Sequence, residues 1–168
     1  MLVNNKMIST RIFFLIIFLC CVSLIIFGLY LEHIQGLDPC PLCVFQRIAY
    51  ILIIIASLIA VIHNPANTWK TIYKFLIFIF SVMGASVAGR QVWLQHLPPE
   101  LVPECGPGLD YMLNVFPFAD AVRMILSGSG ECAEVQWRFI GLSIAEWSLI
   151  VFIAISIATI LSVFFVKK

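Results

Sequence analysis

The chain has 168 residues, of which 62% are hydrophobic and 11% are charged. Soluble domains contain about 45–50% apolar and about 25% charged residues, so this composition excludes a soluble globular protein and indicates one embedded in a membrane. The formal net charge of +1 argues against nucleic acid as a partner. No small-residue cleavage site follows the first apolar run, so we interpret that run as a retained span rather than a cleaved signal peptide.

Four apolar runs predict four transmembrane helices, since a helix needs about 20 predominantly apolar residues to cross the hydrocarbon core. The runs occupy residues 12–31, 44–62, 72–94 and 144–166. Strands are excluded, because their unpaired backbone groups have no partners in lipid. The predicted fold class is therefore all-α: a single membrane domain over residues 1–168, built as an up-down four-helix bundle. Two loops remain on one side of it, at about 32–43 and 95–143.

The charged residues orient this bundle. Six basic residues fall at one end of it: Lys6, Arg11, Lys70, Lys74, Lys167 and Lys168. The positive-inside rule makes this end cytoplasmic, with both termini there. All nine acidic residues fall on the opposite side, which agrees with that orientation. The two loops are therefore expected on the outer face of the membrane.

The six cysteines divide according to this topology. Cys20 and Cys21 lie within the first apolar run, where a thiol behaves as a small hydrophobic group. The remaining four all fall in the outer loops: Cys40, Cys43, Cys105 and Cys132. The outer face is the oxidising side, where disulfides form and persist.

Three interpretations of the loop cysteines are open: structural disulfides, a four-cysteine zinc site, and two redox-active pairs. Zinc ligands usually come as two close pairs, whereas 26 residues lie between Cys105 and Cys132. A metal is therefore not expected. The residues around Cys40 and Cys43 favour the redox pairs.

The stretch "DPCPLCVFQR" has the features of a reactive thiol site. Asp38 or Cys40 can cap the second helix, and Pro41 fits its first turn, where a missing N–H costs nothing. Cys43 then lies near the positive end of the helix dipole, and Arg47 follows one turn deeper on the same face. Both positive charges favour the thiolate, which is the form that attacks disulfides. Arg47 is predicted to pair with a carbonyl oxygen just inside the lipid; the alternative is a side chain that snorkels to the headgroups.

A second polar site is predicted at the end of the third helix, in "GRQVWLQHLP". His96 is expected at the same membrane depth as Arg47, where it donates to a carbonyl or relays a proton. The alternative is an interfacial histidine without a special role. Hydrogen-bond donors at lipid level beside a dithiol indicate a lipid-soluble electron acceptor, and a quinone fits.

The long outer loop is expected to be only partly ordered. Cys105 in "LPPELVPECGPG" and Cys132 in "SGSGECAE" are both predicted on flexible segments, because proline and glycine interrupt regular structure there. Between them, "PFADAVRMIL" predicts a short helix after Pro117 that lies flat on the membrane, or alternatively packs on the bundle.

The blocks "DPCPLCVFQR", "GRQVWLQHLP" and "SGECAEVQWRFIGLSIAEWSL" together resemble the DsbB family of membrane thiol oxidoreductases, over nearly the whole chain. The resemblance implies disulfides Cys40–Cys43 and Cys105–Cys132. It also implies that Cys105 is attacked by a partner thiolate and that Cys132 can be captured by Cys40. Cys43 would then be the thiolate beside the quinone, which Arg47 and His96 would contact.

The expected function is an enzymatic one. The resemblance implies an inner-membrane protein that reoxidises a periplasmic DsbA-like, thioredoxin-fold dithiol oxidase and passes the electrons to ubiquinone or menaquinone. Only an acceptor as oxidising as a quinone lets this sequence run forward, because DsbA is itself a strong oxidant. The alternatives are a paralogue that serves a different thioredoxin-fold partner and a structural four-span membrane protein.

Overall fold

Four long helices dominate the computed structural model, which describes residues 2–64, 67–103, 111 and 114–166. They are α1 (Leu2–His33), α2 (Pro41–His63), α3 (Asn67–Gln95) and α6 (Ile144–Val166). Each contains a stretch long and apolar enough to cross a membrane, so the predicted all-α, four-helix fold class is confirmed. The first three helices continue beyond their apolar runs, because backbone hydrogen bonding does not stop where the side chains become polar.

The long helices pack in the order α1, α2, α3, α6. Each consecutive pair is in extensive contact, whereas α1 and α6 hardly touch in the part of the chain that the structure describes. The bundle is therefore an arc with an opening between its first and last helices. This opening positions the site described below.

The tightest helix contact joins α3 to α6. A Cβ atom added at Gly84 would lie 2.4 Å from ring atoms of Phe152, so only glycine lets the two backbones approach this closely. The Phe152 ring stacks on Tyr50 of α2 with 4.2 Å between centroids. Ser81 and Ser156 add a buried hydrogen bond of 2.8 Å between α3 and α6. Small residues and interhelical hydrogen bonds are typical of helix contacts in lipid, where burial from water gives no driving force.

Short elements cover the outer end of the bundle. They are a 3₁₀ turn (Pro99–Leu101), α4 (Phe118–Ser127), α5 (Gly130–Ala133), β1 (Arg138–Phe139) and β2 (Leu142–Ser143). The two strands form an antiparallel hairpin, which the sequence patterns did not predict. Ile140 and Gly141 at its turn both have positive φ, as a two-residue hairpin turn requires. Strands of two residues are too short to give an alternating pattern.

Helix α4 is the short helix predicted after Pro117, and it packs on the bundle. Ile125 is buried in a cluster with Leu42, Leu94 and Cys132. Arg90 of α3 donates from Nη2 to the Ser127 carbonyl at 2.8 Å, which holds the end of α4. The outer helix therefore forms a lid over the start of α2.

Candidate active site: three sulfur atoms beside a cavity between helices

Cys40 caps helix α2, so its sulfur is held at the helix entrance. Its Sγ accepts a hydrogen bond from the Cys43 backbone N–H at 3.3 Å, and Pro41 occupies the first helical position. Of the two predicted caps, Cys40 is the one that the structure uses. The local sequence thus places Cys43 in the first turn, where backbone N–H groups point toward the sulfurs.

Three sulfur atoms lie in a row, with Cys40 in the middle. Its Sγ is 2.6 Å from that of Cys43, and its thiol also hydrogen-bonds to Cys132. All three residues are free thiols in the structure, and the Cys40–Cys43 disulfide stays a prediction. Cys105 lies outside the described residues, and so does the predicted Cys105–Cys132 disulfide.

The sequence predicted Cys132 on a flexible segment, whereas the structure places it in the short helix α5. The residue is fully buried within α5, whose first turn is closed by a bond from Cys132 N–H to the Ser129 carbonyl at 2.9 Å. The glycines around it allow the chain to turn sharply, but packing against Leu42 and Ile125 fixes the result. Local composition does not reveal such tertiary contacts.

The hydrogen bonds among the sulfurs separate their protonation states. The bond from Cys40 is the main cause that lowers the pKa of Cys132 to about 6, and backbone N–H groups at Leu42 and Ser129 add to it. The same bond to Cys132, the contact with Cys43 and burial raise the pKa of Cys40. Cys132 is therefore the thiolate of this pair, and Cys40 keeps its proton.

Two buried glutamines accompany the sulfurs. The Gln91 amide donates to Cys43 Sγ at 3.2 Å and to Cys40 Sγ at 3.3 Å. Gln46 in turn donates from Nε2 to Gln91 Oε1 at 2.6 Å. Neither was selected as a site residue from the sequence. The sequence does contain a signal for them: both glutamines lie within apolar runs, where a polar side chain needs a hydrogen-bonding partner.

A cavity of about 490 Å³ lies on the other side of Cys43, in the opening between α1 and α6. Its walls are mostly apolar, with Arg47 and Glu32 among the polar groups. The residues that line it include Glu32, Cys43, Arg47, Tyr50 and Val151. Binding sites for small organic molecules typically have this size and this combination of apolar walls with a few polar groups.

Arg47 lines this cavity as part of an ion pair that the sequence reasoning did not anticipate. Its Nη1 donates to Glu32 Oε2, and its Nη2 donates to the Gly28 carbonyl at 3.3 Å. In the sequence, Glu32 is one of the nine acidic residues on the outer side. Its position could have indicated the ion pair. Glu32 directly follows the first apolar run, so its carboxylate lies near the start of α2, where Arg47 is located.

His96 makes its contacts with Val92 and Glu146. It is well exposed, its Nδ1 is 2.8 Å from the Val92 carbonyl, and its Nε2 is 3.8 Å from Glu146 Oε1. The described residues that line the two cavities beside the sulfurs include Cys43 but not His96. Gln91, five positions earlier on α3, faces the sulfurs instead. A contact between His96 and a quinone stays a prediction.

Among the described residues, no three His, Cys, Asp or Glu side chains have the arrangement of metal ligands. The chemistry that the site offers is thiol–disulfide exchange among adjacent sulfurs. Exchange is the attack of a thiolate on a disulfide sulfur, and the site places a thiolate at Cys132 beside Cys40, with the Gln91 amide as donor to the Cys40–Cys43 pair.

Comparison with known proteins agrees with this chemistry. The family model described as "Disulfide bond formation protein DsbB" matches residues 10–162. The chain is 49% identical over 146 residues to Disulfide bond formation protein B of Hahella chejuensis, covering 87% of this chain and 88% of that one. It is 46% identical to Disulfide bond formation protein B 1 of Pseudomonas aeruginosa, covering 87% and 90%, respectively. The chain therefore belongs to the DsbB family of membrane disulfide bond formation proteins.

Proposed function

We propose that this protein reoxidises a periplasmic DsbA-like dithiol oxidase and passes the electrons to a membrane quinone. The observation that carries the proposal is the continuous row Cys132, Cys40, Cys43, which begins under the outer elements and ends at the cavity between α1 and α6. Such a row connects an external thiol partner with an acceptor dissolved in lipid.

The inner exchange follows from the position of Cys40 between the other two sulfurs and from the backbone N–H groups at Leu42 and Ser129, which still favour the Cys132 thiolate when Cys40 is in a disulfide. With Cys40 and Cys43 joined as a disulfide, the Cys132 thiolate attacks Cys40 Sγ. The Cys132–Cys40 bond forms, the Cys40–Cys43 bond breaks, and the electron pair remains on Cys43 Sγ. Attack on the central sulfur is favoured by position, because Cys40 is the residue that contacts both neighbours. Cys105 is proposed to receive the partner's thiolate before this step.

The cavity residues fit a quinone. Its volume lies within the range of about 300–1,000 Å³ that is usual for small-molecule sites. Cys43 provides the reducing sulfur at its wall, and Arg47 provides N–H donors suited to a carbonyl oxygen. A quinone, when bound, supplies an acceptor for two electrons and two protons. The opening between α1 and α6 gives such a molecule a direct route from the bilayer.

The orientation supports the same assignment. Arg11 at the start of the first span and Lys70 near the start of α3 mark one end of the bundle, which the positive-inside rule assigns to the cytoplasm. The cysteine row lies at the opposite end. We therefore place the protein in the bacterial inner membrane with its thiol site on the periplasmic side.

The test is a reconstituted reaction. Purified full-length protein is mixed with a reduced DsbA-type partner and quinone, and quinone absorbance is followed. We expect reduction that depends on the partner and is abolished by Cys43→Ser. Cys20→Ser is the matched control, because Cys20 lies exposed on α1, away from the thiol row. A lack of partner-dependent reduction would contradict the proposal, and reduction with another thioredoxin-fold partner alone would reassign the partner.

A further inference from the structure

We propose that Gln91 is a catalytic residue that stabilises the Cys43 thiolate, and that Gln46 is the positioning residue that orients the Gln91 amide. The proposal rests on the proposed function, since it concerns the sulfur that is left reduced by the inner exchange. It extends that function by giving a role to two side-chain amides, Gln91 on α3 and Gln46 on α2.

The geometry around Cys43 indicates the donor. Gln91 Nε2 lies 3.2 Å from Cys43 Sγ and 3.3 Å from Cys40 Sγ, so one amide group reaches both members of the C-x-x-C pair. Arg47, the donor expected from the sequence, is paired with Glu32 and Gly28. Gln91 is only 4% exposed, which shields this hydrogen bond from competing water.

Gln46 determines which end of the amide faces the sulfurs. A glutamine side chain presents donors at its nitrogen and only acceptors at its oxygen, whereas a thiolate can only accept. Gln46 Nε2 donates to Gln91 Oε1 at 2.6 Å and so occupies that oxygen. Cys43 Sγ lies 3.6 Å from the same oxygen but 3.2 Å from Gln91 Nε2, so the nitrogen is the nearer of the two amide atoms. Without that bond, the Gln91 amide can rotate and place its oxygen against the negative sulfur.

The donor matters most at one point of the exchange. When Cys132 bonds to Cys40, Cys43 leaves carrying the electron pair, and Cys40 can no longer donate a proton to it. The Gln91 N–H groups then remain as the side-chain donors beside Cys43 Sγ in the described part of the site. A hydrogen bond from this amide holds the leaving sulfur as a thiolate until its electrons are passed on.

The experiment measures thiolate formation directly, without partner or quinone. Reduced full-length protein in detergent is alkylated with iodoacetamide between pH 5 and 10, and modification of Cys43 is followed by peptide mass spectrometry. Removing a hydrogen bond to a charged group typically costs about 1.5–3 kcal/mol, so Gln91→Met should slow alkylation at pH 7 roughly tenfold or more. At the alkaline end its rate should converge with that of the unmodified protein.

Three further variants separate the roles. Gln91→Glu, which removes the donor and adds a negative charge, should be slower than Gln91→Met at neutral pH. Gln46→Met should show the same displacement of the pH profile to a smaller extent. Gln95→Met is the control, because Gln95 lies one turn further along α3 and accepts from Ser143 Oγ at 2.7 Å. It should leave the profile unchanged.

Two results would overturn the proposal. One is a Gln91→Met profile identical to that of the unmodified protein. The other is a rate lowered equally at every pH, which reports altered access to Cys43 rather than thiolate stability. The assay contains neither partner nor quinone. Neither result would therefore contradict the proposed quinone reaction, which the reconstituted reaction tests separately.

Discussion

Arg47 carries a charge at the cavity wall, and its ion pair with Glu32 changes how that charge can act. A guanidinium that is already bound to a carboxylate has fewer donors to offer a ligand. Glu32 therefore competes with any carbonyl oxygen that Arg47 is to bind in the proposed function. The two residues should affect quinone use in opposite directions.

We expect Arg47→Ala to raise the quinone concentration needed for half-maximal reoxidation roughly tenfold, because a hydrogen bond to a charged group contributes about 1.5–3 kcal/mol. Glu32→Gln should lower that concentration, since it removes the competing charge. Steady-state rates at varied quinone measure both. Thiol titration should show that both variants retain their disulfides. An unchanged dependence on quinone in Arg47→Ala would exclude the role of this arginine.

Cys132 leads to a pH prediction at the same scale. In the reduced protein the pKa of Cys132 is lowered from its ordinary value to about 6, first by the bond from the Cys40 thiol. The rate at which iodoacetamide alkylates Cys132 in the reduced protein should therefore be nearly constant from pH 7 to 9 and should fall as the pH drops through about 6. Peptide mass spectrometry of Cys132 across this range provides the test.

Ser129 offers the matched variant for that measurement. Its Oγ lies 3.7 Å from Cys132 Sγ and contributes to the lowered pKa. Ser129→Ala should move the decline to slightly higher pH, because the thiolate loses one hydrogen-bonding partner. A rate that already falls between pH 9 and 8 in the unmodified protein would contradict the assignment of Cys132 as the thiolate.

At the scale of elements, the close approach of α3 and α6 depends on one glycine. An added Cβ at Gly84 would overlap the Phe152 ring at 2.4 Å, and that ring also stacks on Tyr50 of α2. The ring therefore cannot move without disturbing a second helix. Helix propensity by itself favours alanine over glycine at this position, so packing decides whether the substitution stabilises or destabilises the protein.

Gly84→Ala is expected to destabilise the protein by roughly 1–3 kcal/mol, as overpacking of a tight core does. Gly89→Ala on the same helix is the control, because its Cβ would be 3.9 Å from Leu149, an ordinary contact. Thermal unfolding in detergent should show a lower Tm for the first variant and an equal or higher Tm for the second. Equal melting temperatures for Gly84→Ala and the native protein would refute this account.

At the scale of the whole molecule, the open arc of helices creates the cavity. Helices α1 and α6 leave a space because neither packs on the other to any extent within the described residues, and Cys43 borders that space from α2. The proposed route from the bilayer depends on this opening. Filling it should impair the quinone step and leave the thiol exchanges intact.

Val151→Trp places a larger side chain at the cavity wall on α6. We expect the half-saturating quinone concentration to rise severalfold, while exchange with the reduced partner in the absence of quinone stays unchanged. Ile153→Trp is the control on the same helix, since Ile153 is exposed on its outer surface. If the two variants used quinone equally well, the cavity would not be the entry route.

The sequence by itself determined the features that depend on composition and local order. Apolar runs of sufficient length predicted the four long helices, and the Cys40–Pro41 start of α2 placed Cys43 in its first turn. Backbone hydrogen bonding in lipid and helix capping are local rules, so they can be read from neighbouring residues. The order of the helices along the chain likewise assigned Cys40, Cys43, Cys105 and Cys132 to the outer loops.

Only the tertiary structure decided which side chains meet. It buried Cys132 against Cys40, paired Arg47 with Glu32 across 15 positions and brought Gln91 to Cys43 across 48. His96 is not among the described residues that line the two cavities beside the sulfurs, and its contact with a quinone stays a prediction. The Cys132, Arg47 and Gln91 contacts depend on helix rotation and on the order α1, α2, α3, α6, which follow from interhelical packing and leave no periodic signal in one chain.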